Sequence, residues 1–208
     1  MKKANYIIYD CETGGLDDQS NPITQIALIT IDSQSLQEID RFEMYIKPYD
    51  DLIITKEALD MTGLKIADIN NGFTKKEAVD LLCKYFKKSM PNNRPENRPI
   101  LIGHNVQFDN GFLFYIFESC KKDLYSFVSD TTICTMALSK QAFPEASSLR
   151  LGKVCELVGI RLSDAHKAMN DVVATTDLFR YFTNKLRSTG GSSAVVKESK
   201  KSRLQFQF

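Results

Sequence analysis

Asp10 and Glu12 end the apolar run in YIIYDCETGG, and their spacing is the first sign of chemistry in the chain. In a strand, residues two apart point the same way and lie ~7 Å apart along the chain. Such carboxylates repel unless a cation sits between them; otherwise they are a pair of surface acids at a strand end. Gly14 and Gly15 let the chain turn away at once and admit another backbone closely. Asp109, in GHNVQFDNGF, falls in the first turn of an apolar helix. It either complements the helix dipole or, if its strand lies beside the first, faces Asp10. Asp171, in DAHKAMNDVV, follows His166 by five residues at the opening of the final helix. Five residues turn a helix by about 140°, so the two share no face if both are helical. His166 is therefore expected in the preceding loop, beside a metal without ligating it.

Four acids from three segments imply a metal. All-oxygen ligands select hard divalent cations, Mg²⁺ with Mn²⁺ able to substitute. Two such ions ~3.5–4 Å apart cleave phosphodiesters, one activating water and the other stabilising the leaving oxygen. A histidine with an ordinary pKa of ~6.5 can take that water's proton near neutral pH.

The elements that must position these groups follow from periodicity. Residues 5–10, 23–32 and 39–48 read as three strands joined by short polar connections, an antiparallel meander. Residues 55–63 read as a short helix with a threonine cap and a terminal glycine, and 74–89 as an amphipathic helix. Residues 91–99 read as a loop, 100–105 as a buried strand and 107–122 as an apolar helix. A strand is expected at 126–130, with Asp130 capping the helix TTICTMALSKQA. A serine-capped helix follows at 147–160, stopped by Gly159, and the last long helix at 166–186. Antiparallel strands followed by alternating strands and helices predict an α/β fold with a mixed sheet.

The chain has 208 residues, a net charge of +1 and ordinary apolar content, which suits one domain with a tail. Near-neutrality argues against a protein that coats long nucleic acid, less so against one that grips a strand end. The five cysteines are scattered without a C-x-x-C, which favours buried thiols in a reducing cytoplasm over disulfides or zinc. The apolar run within MKKANYIIYD ends at Asp10 and is too short for a signal peptide or a membrane span. The chain is expected to divide at 187, with 188–208 a disordered, lysine-bearing tail ending in RLQFQF.

D-x-E near the start, an Asp within H-N-x-x-F-D and a late H-x-x-x-x-D resemble the DEDDh 3′→5′ exonucleases of ribonuclease-H-like fold. The closest likeness is to the proofreading exonuclease subunit of bacterial replicative DNA polymerase. EALDMTGL, SDTTICTMALSKQAFP and SSLRLGKVCELVGI also look like that group. The resemblance implies a mixed sheet of about five strands flanked by helices. It implies Asp10, Glu12, Asp109 and Asp171 as ligands of two Mg²⁺ ions and His166 as general base. It places Thr13 and Leu16 at the terminal nucleotide, and His104, Asn105 and Phe108 along the substrate groove. For His104 a structural hydrogen-bonding role stands beside substrate contact. Gly14 stands where the proofreading subunit has threonine.

The expected activity is release of nucleoside monophosphates from DNA 3′ ends in proofreading or repair, by a free-standing or subunit-type enzyme. RNA 3′-end trimming, as by ribonuclease T or oligoribonuclease, is the alternative, and an inactive binding module of the same fold a third reading. RLQFQF loosely resembles the Q-L-x-L-F peptide that docks on sliding clamps, with Arg203 in place of the Gln. A clamp or polymerase is thus an expected partner of the tail.

Overall fold

The computed structural model describes residues 4–163 and 167–190; His166 and residues 191–208 of the expected tail 188–208 lie outside the described residues. Strands β1 (Tyr6–Thr13), β2 (Ile23–Ile31) and β3 (Glu38–Tyr45) form the expected antiparallel meander. Strands β4 (Ile100–Gly103) and β5 (Thr132–Cys134) add in parallel beyond β1, giving the order β3-β2-β1-β4-β5.

Alternation along β1 and β2 feeds two cores. Ile7, Tyr9, Cys11, Ile26 and Leu28 face α3 (Lys75–Lys88) and α4 (Val106–Ser119), meeting Leu82, Phe86, Leu113 and Phe117. Ile8, Ala27, Ile29 and Ile31 face α7 (Ala168–Gly190), meeting Ala168, Val172 and Phe179. Asp10 and Glu12 share the parity of Ile8 and fall on the α7 face. A third cluster, Val154, Leu178 and Phe182, joins α6 (Leu151–Val158) to α7.

The helix signals hold where capping is local. Thr55 caps α1 (Lys56–Thr62) and Gly63 ends it in the left-handed region at φ +67°. Thr74 and Glu77 form a reciprocal capping box on α3. A short helix, α2 (Ile66–Asn70), follows α1.

Two expectations are corrected. The strand expected at 126–130 is absent: Leu124–Ser126 is a 3₁₀ turn capped by Asp123. The edge strand lies later, where β-branched Thr132 and Ile133 pair with Leu101 and Ile102. Asp130 therefore caps no helix, and α5 (Thr135–Ala142) begins only after that strand. The expected serine cap at 147 is also absent. Arg150 stands at the N-cap of α6 with no side-chain cap bond, its backbone extended at φ −59°, ψ 143°. The carbonyl before it, Leu149 O, is held by His104 Nε2 at 2.7 Å, which keeps this segment outside the helix. Gly159 does end α6, at φ +75°. All five cysteines are free. Among the described residues no helix is long and apolar enough to cross a membrane.

Candidate active site

The site forms because β4 is short. It pairs with β1 only from Tyr6 to Ile8, so the upper half of β1 has no strand neighbour on that side. Asp109, in the first turn of α4, takes that place: its Oδ1 accepts the backbone N–H of Cys11 at 3.0 Å. The Tyr9 hydroxyl donates to Asn110 Oδ1 at 2.6 Å and pins the same turn. Asp109 thus reaches β1 from the α4 layer, and α7 brings Asp171 from the opposite layer. Carboxylate oxygens of Asp10, Glu12 and Asp171 lie within 4.8 Å of one another. Asp109 is not one of this trio but borders it, and it is the strongest charge acting on Asp10.

Crowded acids in a buried place resist ionisation. Burial, then Asp109, Glu12 and Asp171, hold the Asp10 carboxyl well above its usual range. Burial, with Asp171 adding, pushes Glu12 up to about 7. Burial pushes Asp109 up to about 7 against the opposing N–H bonds from Cys11 and its own backbone. No basic side chain among the described residues relieves these three. An all-oxygen donor set with this spacing and this unrelieved repulsion fits a hard divalent cation.

A groove of about 940 Å³ runs beside Asp171. Leu16, His104, Asn105 and Phe108, all expected substrate residues, line it. Leu16 is 84% and Met61 62% exposed at its edge. Thr13 is not in the lining; its hydroxyl is spent on Gly15 O at 2.6 Å, inside the turn that presents Leu16. That turn explains the departure at Gly14. A Cβ there would sit 2.8 Å from Pro22 Cδ and 2.9 Å from Ile53 O, leaving no room for a threonine. Met61, Met136, Arg150 and Lys153 also line the groove and were not singled out by sequence. Met61 reads there as an ordinary apolar helix position, and only its exposure separates it from core.

His104 resolves towards the structural role. Nε2 meets Leu149 O, which can only accept, so Nε2 carries a proton. Nδ1 lies 3.0 Å from Thr135 Oγ1, whose own hydroxyl donates to Gly103 O at 3.2 Å, and burial lowers the ring's pKa. Both nitrogens are committed, and His104 ties the groove wall at Leu149 to the end of β4. His104→Ala is expected to cost about 1–3 kcal/mol in urea unfolding. Because the wall and not the acids is loosened, KM should rise more than kcat falls. Unchanged KM with lost kcat would instead mark His104 as part of the chemistry.

Comparison with known proteins agrees with this geometry. The exonuclease family matches residues 7–179. Ribonuclease T of Vibrio vulnificus (strain CMCP6) is 26% identical, over 94% of this chain and 91% of its own. E. coli exonuclease I in complex with a dT13 oligonucleotide superposes with a TM-score of 0.76, at 22% identity over 91% of this chain. The zinc-bound form of its single-stranded DNA complex gives 0.70, at 24% identity over 90%. This chain spans less than half of each of those two solved chains, 43% and 45%. The family match takes in every element that carries one of these acids, from β1 into α7. The chain therefore belongs to the exonuclease family, the 3′→5′ exonucleases of ribonuclease-H-like fold.

Proposed function

We propose that the chain is a Mg²⁺-dependent exonuclease that trims single-stranded 3′ ends to nucleoside monophosphates. The observation that carries this is the trio of carboxylates within 4.8 Å, set beside a groove of about 940 Å³. Asp10, Glu12 and Asp171 would hold the metal, with Asp109 completing the set from the α4 side. When bound, it supplies an activated water and neutralises charge on the phosphate. His166, five residues before Asp171 in sequence, would serve as the general base. Leu16 and Met61 offer exposed apolar surface against which bases pack, a contact that tolerates any sequence.

RNA ends are the first reading, supported by the end-to-end likeness to ribonuclease T. DNA ends, in proofreading or repair, are the second, supported by the fold likeness to exonuclease I solved with a dT13 oligonucleotide. The test is a digestion ladder on 5′-labelled single-stranded RNA and DNA of one sequence, with Mg²⁺, Mn²⁺ or EDTA. Shortening from the 3′ end that EDTA stops is the expected result. A ladder faster on RNA selects trimming, and one faster on DNA selects proofreading or repair. No ladder on either, from folded protein with both metals, would sink the enzymatic reading.

A further inference from the structure

We infer that Asn21 is a positioning residue: its buried amide ties the turn that carries Leu16 to the segment leading into α1, and so sets Leu16 against Met61 across the groove. Leu16 and Met61 both line that groove and both are exposed. They come from different parts of the chain, Leu16 from the turn between β1 and β2 and Met61 from α1. A side chain as exposed as Leu16 has little packing of its own, so its direction is set by the backbone beneath it.

Asn21 is 7% exposed, although asparagines in surface turns mostly face water. Its Oδ1 accepts the Asp17 N–H at 3.1 Å. That N–H belongs to the peptide bond leaving Leu16, so the contact fixes the peptide on which Leu16 sits. Its Nδ2 donates to Ile53 O at 2.8 Å, two residues before the Thr55 cap of α1. A donor on one side and an acceptor on the other leave the amide one orientation. The Asn21 backbone N–H goes to Asp17 O at 2.8 Å, closing the turn around the same residue. Gly15 makes the room: a Cβ there would stand 2.5 Å from Asn21 Cγ and 2.7 Å from Nδ2.

Two backbone bonds continue the seam between the turn and the α1 segment. Ile53 donates to Ser20 O at 2.9 Å, and Thr55 to Gly14 O at 2.7 Å. Neither involves the peptide between Leu16 and Asp17. Loss of the Asn21 amide therefore leaves the seam closed and frees the Leu16 peptide within it. Aspartate at 21 would keep an oxygen for Asp17 but set a second acceptor against Ile53 O, so it does half the task.

A preset apolar surface receives a base without first having to be ordered. Such packing is the same before and during cleavage, so its loss appears in KM rather than kcat. This consequence rests on the function proposed above; the locking of the turn does not.

The test uses the full chain with Asn21→Ala and Asn21→Asp, and with Gln19→Ala, an exposed position in the same turn, as control. Amide exchange at Asp17 is followed without metal. KM and kcat are measured with Mg²⁺ on single-stranded RNA and DNA ending in a normal nucleotide or in one without a base. Asn21→Ala is expected to speed Asp17 exchange by about tenfold or more. On the normal end it should raise KM by ~3–10-fold and leave kcat within about twofold. On the base-free end its KM should match that of the wild type, because Leu16 has no base to meet. In a Leu16→Ala background, Asn21→Ala should raise KM no further. Asn21→Asp should fall between wild type and Asn21→Ala in both exchange and KM, and Gln19→Ala should change neither. Should Asn21→Ala not fold, Asn21→Asp carries the same predictions in smaller size. Equal KM losses on the two ends, additive effects with Leu16→Ala, or unchanged Asp17 exchange in a folded variant overturns the proposal. If the wild type cleaves nothing, the functional reading fails, and exchange at Asp17 still decides whether Asn21 holds the turn.

Discussion

Asp10→Asn is expected to lower kcat by more than about 10³-fold and, in EDTA at pH 8, to make the protein more stable by about 1–2 kcal/mol. The two effects share a cause. Asp10 stands among Glu12, Asp109 and Asp171, and each of them holds its carboxyl above the ordinary range. Without a cation, the neutral amide removes repulsion from each of the three pairs that include Asp10. With one, it removes an anionic donor from the trio that includes Glu12 and Asp171. Removing a preorganised electrostatic stabiliser raises the barrier far more than it changes the fold. Urea unfolding with EDTA and single-turnover cleavage with Mg²⁺ read the two halves separately. A variant that is inactive and also less stable would mean that Asp10 is structural, and the acid cluster would lose its meaning as a metal centre.

The legible part of this site was the part written locally. Asp10 and Glu12 declare their shared face through strand period, and Cys11 between them goes to the opposite core as that period requires. Thr55, Thr74, Gly63 and Gly159 cap or end helices through contacts within a few residues, so their signals survive folding. What sequence did not reveal depends on partners far along the chain. The start of α6 is set by His104, 45 residues away from Leu149, which no cap signal near Ser147 encodes. The edge strand at Thr132 needs β4 beside it before three residues count as a strand. The gap that Asp109 fills exists because β4 stops pairing at Ile8, a property of register.

The metal-free protein should lose stability as pH rises from about 4 to about 7, and Mg²⁺ should restore it most at the alkaline end. Glu12 moves from an ordinary 4.5 to about 7, and Asp109 from 3.8 to about 7, on folding. Between those values the native state still holds protons that the unfolded chain has released. Stability then falls with rising pH, because the native state binds more protons. The penalty is absent below about pH 4 and complete above about pH 7. For Glu12 alone it is about 3 kcal/mol. The combined loss is smaller than a sum, since the groups titrate as an interacting set. His104 acts oppositely: burial lowers its pKa, so its contribution weakens as pH falls through the range where the unfolded imidazole charges. Comparing EDTA with excess Mg²⁺ at each pH cancels the histidine, which lies outside the carboxylate trio. A cation favours the ionised carboxylates, so binding at pH 5 must displace protons that are already gone at pH 8. The gap between the two stability curves should therefore widen from pH 5 to pH 8 in guanidinium unfolding, and Glu12→Gln should narrow it. Parallel curves with and without Mg²⁺ would mean that the cation does not bind these acids, whatever the protein cleaves.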